Sequence, residues 1–273
     1  MFKNCYVTLV YINQKHIKSS SATTRCFEPI IDVTNLEYLN FNTSNPGQYF
    51  TECNSAYELW KKIWLFTYSE LGIQKKLTSE DFLNRQICGL FNNGNAIGFL
   101  LHHQLDLKLS SALDSNYFDS YPDQLKQYQI TKNDSVFIVS FMTINPDWRK
   151  SVTNFSISEL LLSFAVLEFN FTKSKRILGY FRNNRSINDV FYRHAGKFLC
   201  KDIAHNIEVD FGEIHQHESH LSELKDHALI SLKLWQNFKN KQKQESTHGI
   251  TQYLEKRTTH TISPKFSFPR LEQ

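Results

Sequence analysis

The sequence predicts an α/β protein built on one mixed β-sheet flanked by helices. Three observations lead there. From about residue 50 onward, runs with the helical period alternate with short runs rich in β-branched and aromatic residues. Asn93-Gly94 stands between two such runs, the strongest short-range hairpin signal. A chain of 273 residues that is 41% hydrophobic and 14% aromatic has ample material for a packed core.

The elements follow in order. Residues 1–50 hold the alternating stretches "CYVTLVYI" and "FEPIIDV", broken by "KSSSATT" and "NTSNPG", and read as an N-terminal β extension. "SAYELWKKIWLFTYSELG" is a helix: Ser55 and Glu58 have capping-box spacing, Leu59, Ile63 and Phe66 repeat at helical spacing, and Gly72 stops it. "SEDFLNRQI" predicts a second, shorter helix, and "CGLFNNGNAIGFLLHH" the hairpin. Ser110 to Asn133 is polar and reads as a loop with a single helical turn. "SVFIVSFMTI" is a strand long enough to lie centrally in a sheet.

Beyond it, Ser156 and Glu159 repeat the capping-box spacing before a helix whose stripe is Leu160, Phe164, Leu167 and Phe171. "RILGYF" is a strand. "SINDVFYRHAGKF" is read as a helix burying Ile187, Val190, Phe191 and Phe198, and "NIEVDFGEI" as the closing strand. Residues 219–244 form an amphipathic helix with a basic end, and the polar residues 245–273 are expected to be a disordered tail. The domain proper is thus 51–218.

Composition excludes several classes. No apolar stretch reaches the ~20 residues of a membrane span, and the N-terminus lacks a signal-peptide cleavage site, which suggests the cytoplasm. The five cysteines (Cys5, Cys26, Cys53, Cys88, Cys200) are scattered without a C-x-x-C pair, against a disulfide framework or a zinc knuckle. His215, His217 and His220 lie close together but lack a second ligand group, so no metal is expected. A net charge of +4 with both signs interspersed does not predict nucleic-acid binding.

Two motifs carry chemistry. "INPDWRK" resembles the V-x-P-x-[YW]-R-G opening of the pyrophosphate loop in the GNAT superfamily of acetyl-CoA-dependent N-acetyltransferases, with Pro146, Trp148 and Arg149 matching. "NNRSINDVFYRHAGKF" is similar to that family's N-x-x-A-x-x-x-Y-x-x-x-G-F segment, with Tyr192 and Gly196 matching and Asn188 in the place of the small residue. The resemblance spans roughly residues 50 to 215 and implies a splayed GNAT-like sheet. It also implies acetyl-CoA or another acyl-CoA as co-substrate and a small-molecule or peptide amine as acceptor. The family's loop glycines are missing, since no glycine occurs between Gly98 and Gly179. Arg149 and Lys150, with the small polar side chains of Ser151, Thr153, Asn154 and Ser156, are the alternative phosphate ligands.

Tyr192, one helical turn from Asn188, is the residue expected to protonate the leaving thiolate, because a phenol is protonated at neutral pH. His102 or His103 could act as base toward the amine. The resemblance places the oxyanion donor at a main-chain N–H near Thr143 or Ile144, at a bulge. Two alternatives stand beside this reading. One is an N-acyl synthase of the homoserine lactone type, drawing its acyl group from an acyl carrier protein docked on Lys150, Arg182, Arg185 and Arg193. The other is a GNAT-like domain without catalysis, serving as a binding module.

Overall fold

Asn93 and Gly94 take φ of 49° and 77°, the conformation a two-residue hairpin turn demands. They join strand β2 (Gln86–Asn92) to strand β3 (Asn95–Asp106). The computed structural model describes residues 35–74, 76–149, 155–183 and 186–259, with the main chain alone from residue 245. The stretches "CYVTLVYI" and "FEPIIDV", expected as strands, therefore lie outside the described residues, as do Lys150, Ser151, Thr153, Asn154 and Arg185.

Strand β1 (Leu36–Asn42) pairs antiparallel with β2, and helix α1 (Phe50–Glu70) connects them. After β3 come helices α2 (Ser110–Leu113) and α3 (Asp123–Lys132) and then strand β4 (Ser135–Ile144), antiparallel to β3. Helix α4 (Ile157–Phe169) leads to strand β5 (Arg176–Arg182), which runs parallel to β4. Helix α5 (Ile187–Tyr192), strands β6 (Lys197–Ala204) and β7 (Ile207–His215) and helix α6 (Lys225–Thr259) complete the described chain. The seven-stranded sheet has the order β1-β2-β3-β4-β5-β7-β6. It is the mixed α/β architecture expected from the sequence, splayed as the GNAT resemblance implies: β4 and β5 pair only from Val136↔Arg176 to Ile138↔Leu178 and then part.

Side-chain alternation sorts the layers. Phe99, Leu101, His103, Ile138 and Tyr180 face α1 and the α2–α3 segment; Gly98, His102, Phe137, Phe181 and Asp210 face α4 and α5. α4 is buried nearly all round because α6 covers its outer side. Its two buried carboxylates have partners: Glu168 accepts from Tyr38 Oη (2.9 Å), Trp235 Nε1 (2.7 Å) and Lys239 Nζ (3.1 Å), tying β1 to α6. Glu159 accepts from Arg193 Nε at 2.6 Å and from Ser222 Oγ at 2.6 Å.

At the closed end of the β4–β5 pair, Arg176 is 1% exposed. It grips Asp134 through Nε and Nη2 (2.9 and 2.7 Å), and its Nη1 reaches both Glu213 and Gln129 at 2.7 Å. Burial alone would raise the Glu213 carboxyl, but Arg176 and His215 hold it below its ordinary value.

Several expectations are corrected. Ser55 is interior to α1, which starts at Phe50; the Ser55 hydroxyl instead accepts from Ala96 N–H (2.9 Å) in the hairpin. "SEDFLNRQI" contains only a 3-10 turn, Ser79–Asp81, before β2 begins. The polar stretch 110–133 contains the ten-residue helix α3. The second capping box does not form, since Glu159 is engaged by Arg193 and Ser222. Phe171 lies beyond α4 and is exposed. Past Tyr192 the supposed helix is replaced by the edge strand β6, on which Phe198 is exposed. α6 continues past residue 244 to Thr259. Among the described residues no helix is long and apolar enough to cross a membrane, and no cluster of His, Cys, Asp and Glu could hold a metal ion.

Candidate functional site

The sheet opens where β4 is distorted. Between the pairs Leu101↔Ser140 and Phe99↔Thr143, one β3 residue, Leu100, faces two on β4, Phe141 and Met142. Phe141 takes φ of 50°, a left-handed conformation costly for an aromatic residue and held here by Trp60 and Trp64 of α1, whose rings meet it edge-on at 5.7 and 5.0 Å. Thr143 is fully buried; its hydroxyl donates to Phe141 O (2.8 Å) and accepts from Trp64 Nε1 (3.0 Å). The bulge thus begins two residues before Thr143 and just past Ser140, where β4 has already lost β5. Ile144 continues the β3 ladder opposite Gly98. Beyond Ile138, β4 has no strand partner on its β5 side among the described residues, and its main chain borders the opening.

Tyr192 stands on the α5 face of the sheet, over β5 and β7. Phe191 beside it packs on Phe181 of β5 with ring centroids 4.3 Å apart, and Phe181 is in register with Asp210 of β7. Tyr192 Oη donates to Asp210 Oδ2 (2.9 Å), and Asn188 Nδ2 donates to the same oxygen (3.0 Å). The two residues singled out from the sequence are therefore brought together, on a carboxylate that sequence reasoning missed. Asp210 Oδ1 is buried with no hydrogen-bond partner among the described residues. Burial and the Asp210 carboxylate raise the Tyr192 phenol above its ordinary value, so it remains protonated at neutral pH.

The opposite face carries a second polar group, built from residues far apart in sequence. Arg85, just before β2, donates from Nη1 to His103 Nδ1 (2.8 Å) and from Nε to Asp81 O (3.0 Å). An arginine only donates, so His103 Nδ1 must accept and its proton sits on Nε2. Tyr117 and Tyr121 share a hydroxyl hydrogen bond of 2.9 Å, and the Tyr117 ring lies 5.9 Å from that of Tyr180. Tyr180, on β5 just past its last pair with β4, exchanges a hydrogen bond with His205 Nε2 (3.1 Å) in the β6–β7 turn. Tyr68 of α1 stacks on His205 with centroids 6.4 Å apart. Of these, only His103 was named from the sequence. The available signals were a tyrosine, Tyr180, at alternate position in "RILGYF" and an arginine, Arg85, immediately before the largely apolar strand β2.

The histidines do not sit at a strand end as expected. β3 runs on to Asp106, and alternation sends His102 and His103 to opposite faces. His102 is stacked on Phe137 at 4.5 Å inside the core under α4, with neither ring nitrogen bonded among the described residues, a place for packing and not for meeting an acceptor amine. Burial pushes its pKa down to about 3; burial and the neighbouring Arg85 do the same to His103. Both rings are thereby held neutral. Arg149 is exposed at the start of the glycine-free loop, and Ser156 N–H donates to His227 Nε2 (2.9 Å), which ties the beginning of α4 to α6.

The buried histidines make stability depend on pH. His102 and His194, the latter pushed down to about 4 by burial, stay neutral in the fold, whereas an unfolded histidine titrates near 6.5. On acidification the unfolded chain takes up protons first. Stability is thus complete above about pH 6.5 and declines below it by about 1.4 kcal/mol per pH unit for each ring, until the folded values are reached. Urea midpoints measured from pH 7.5 down to pH 5 should fall steadily below pH 6.5; a level profile there would show that the rings are not sealed.

No family model matches the sequence, and no curated protein matches it. Among solved structures, the fold is similar to the CoA-dependent acyl-homoserine lactone synthase BjaI, with TM-score 0.49 and 8% identity over 72% of this chain and 87% of that one. FeeM, an N-acyl amino acid synthase from uncultured soil microbes, gives 0.47 and 12% over 62% and 91%. The acyl-homoserine lactone synthase LasI gives 0.45 and 10% over 69% and 93%.

Proposed function

We propose that the protein is an N-acyltransferase in which an amine attacks an acyl thioester lying in the opening between β4 and β5. The observation that carries this reading is the opening itself: two parallel strands that part after Ile138 and Leu178, beside a bulge, with polar groups on both faces. An extended pantetheine arm can hydrogen-bond to the unpaired β4 main chain as a strand would. Acyl-CoA is the proposed donor, with its phosphates on the loop between β4 and α4.

In this reaction the amine nitrogen bonds to the thioester carbon. Main-chain N–H groups at the Phe141–Thr143 bulge meet the resulting oxyanion. As the C–S bond breaks, the thiolate takes the Tyr192 proton, with Asp210 and Asn188 orienting the phenol, while the attacking nitrogen gives up its proton on the other face, where His205 is half-buried. His205 takes over the base role that the sequence suggested for His102 or His103. Holding both reactants in one cleft supplies much of the acceleration.

Saturable binding of CoA or acetyl-CoA in calorimetry, with a matching rise in Tm, tests the donor. Silence with CoA species but a response to acylated carrier protein would move the donor assignment, and silence with both would leave a binding module. Replacing Arg149 and Lys150 together by alanine is expected to weaken donor affinity by ~1 to 3 kcal/mol, the scale of charge-assisted hydrogen bonds to phosphate. Stability should barely change, since Arg149 is exposed. An unchanged Kd would remove "PDWRK" from the phosphate site.

A further inference from the structure

Among the described residues that are not exposed, Arg176, Arg182 and Arg193 each have a carboxylate within 4.0 Å; Arg85 has none. Its Nη1 is spent on a neutral histidine and its Nε on a main-chain carbonyl, and no partner among the described residues takes Nη2. The nearest acidic group in sequence, Asp81, does not neutralise it. Asp81 turns its Oδ2 to the N–H and hydroxyl of Thr78 (3.1 and 3.3 Å) and offers Arg85 only its carbonyl. Burial depresses the guanidinium pKa, with the partial compensation coming from Asp81 at longer range. A half-buried cation with no carboxylate beside it and one edge open is a ready partner for an anion.

The surroundings of Arg85 say where that anion belongs. The guanidinium is on the α1 face of the sheet, bonded to β3 through His103. The His103 ring faces Tyr117 edge-on, Tyr117 packs towards Tyr180, and Tyr180 lies on β5 at the first positions where β4 has parted. His205 closes the same run through its bond to Tyr180. One end of this tyrosine-walled surface is therefore a cation with an open donor, and the other end is the opening.

We propose that the acceptor amine carries a carboxylate, as a free amino acid does, and that Arg85 binds that carboxylate while the amino group points to the opening. This rests on the N-acyltransferase reading for the amino group's fate, but the binding site stands on Arg85 alone. His103 acts as a positioning residue: by accepting at Nδ1 it fixes one edge of the guanidinium and leaves Nη2 to the ligand. The tyrosine hydroxyls supply further donors to the carboxylate and exclude bulk water, which strengthens the charge pair. A polyamine or a lysine side chain, each bringing more positive charge toward Arg85, is disfavoured at this end.

The test uses the whole chain and matched probes: the proteinogenic L-amino acids, each paired with its own carboxamide, with spermidine as a carboxylate-free amine. Binding is read by calorimetry and thermal shift, with and without CoA. At least one amino acid should bind saturably, with its carboxamide weaker by about 10- to 100-fold, the range expected for one charge-assisted contact. Arg85→Met should abolish that preference and Arg85→Lys should restore part of it; because the acid-to-amide ratio is measured first on the unaltered protein, a variant that folds poorly does not decide the outcome. Equal binding of acid and amide, a preference for spermidine, or a preference that survives in well-folded Arg85→Met would each overturn the assignment. Amino-acid binding without any acyl-CoA or acyl-carrier-protein binding would support the Arg85 site and sink the acyltransferase reading, whereas acyl transfer to amines indifferent to a carboxylate would do the reverse.

Discussion

Arg176→Met is expected to destabilise the fold by about 3–5 kcal/mol, the scale on which removing one member of a buried ion pair leaves the others uncompensated. Arg176 is almost completely buried and, among the described residues, is the only cation bonded to Asp134; its loss would strand Asp134 and leave Glu213 with His215 and Tyr128 alone. Differential scanning calorimetry should show a fall in Tm on the order of 10 °C for a domain of this size. Adding Asp134→Asn and Glu213→Gln to Arg176→Met should recover part of the loss, since the penalty comes mainly from orphaned charge. If the single and triple variants melt together, the network is not the clamp described above, and the closed end of the β4–β5 pair owes its position to packing.

Tyr192→Phe is expected to lower acyl-transfer turnover by roughly 10²- to 10⁴-fold with donor affinity little changed, because it retains the ring and deletes the proton that the thiolate needs. Stability should drop by only about 1–2 kcal/mol, since Asp210 loses one donor and keeps Asn188. With the phenol raised above its ordinary value, the rate should show no falling limb from this group up to about pH 10. Asp210→Asn should slow turnover less than Tyr192→Phe does, as an orienting partner and not the proton source. Full turnover in Tyr192→Phe would sink the assignment and leave the fold untouched.

What could be read from the sequence was local. "SVFIVSFMTI", the Asn-Gly turn and the Gly72 stop speak through nearest-neighbour conformational preference, and all three stand in the structure. The misreadings have tertiary causes. Ser55 and Glu159 have the spacing of caps, but a hairpin amide and an arginine from α5's end reach them first. α3 shows no stripe because its buried residues are only Leu125 and Gln129, the latter held by Arg176. β6 lies at the sheet edge with its side chains mostly exposed, so it lacks the alternation that marks a half-buried strand. In the site, Tyr192 and Asn188 were legible as neighbours on one helix, whereas Arg85, Tyr180 and His205 come from three segments that only the sheet order brings together.

The seam between β4 and β5 has one more consequence, for how the site assembles. On either side of it, strands β1 to β4 and strands β5, β7 and β6 pair antiparallel over long registers, whereas across it only three residue pairs are made. The β4–α4–β5 connection is no longer than the one that joins β1 to β2, so the seam is set apart by how few pairs it makes and not by the cost of closing its loop. The proposed reacting groups are divided between the two sides of the seam: Thr143, Arg85 and His103 belong to the first, Tyr180, Tyr192, His205 and Asp210 to the second. Catalytic competence becomes a property of how the two sides meet, so a mutation that only loosens the joint would yield a protein with native secondary structure and no site.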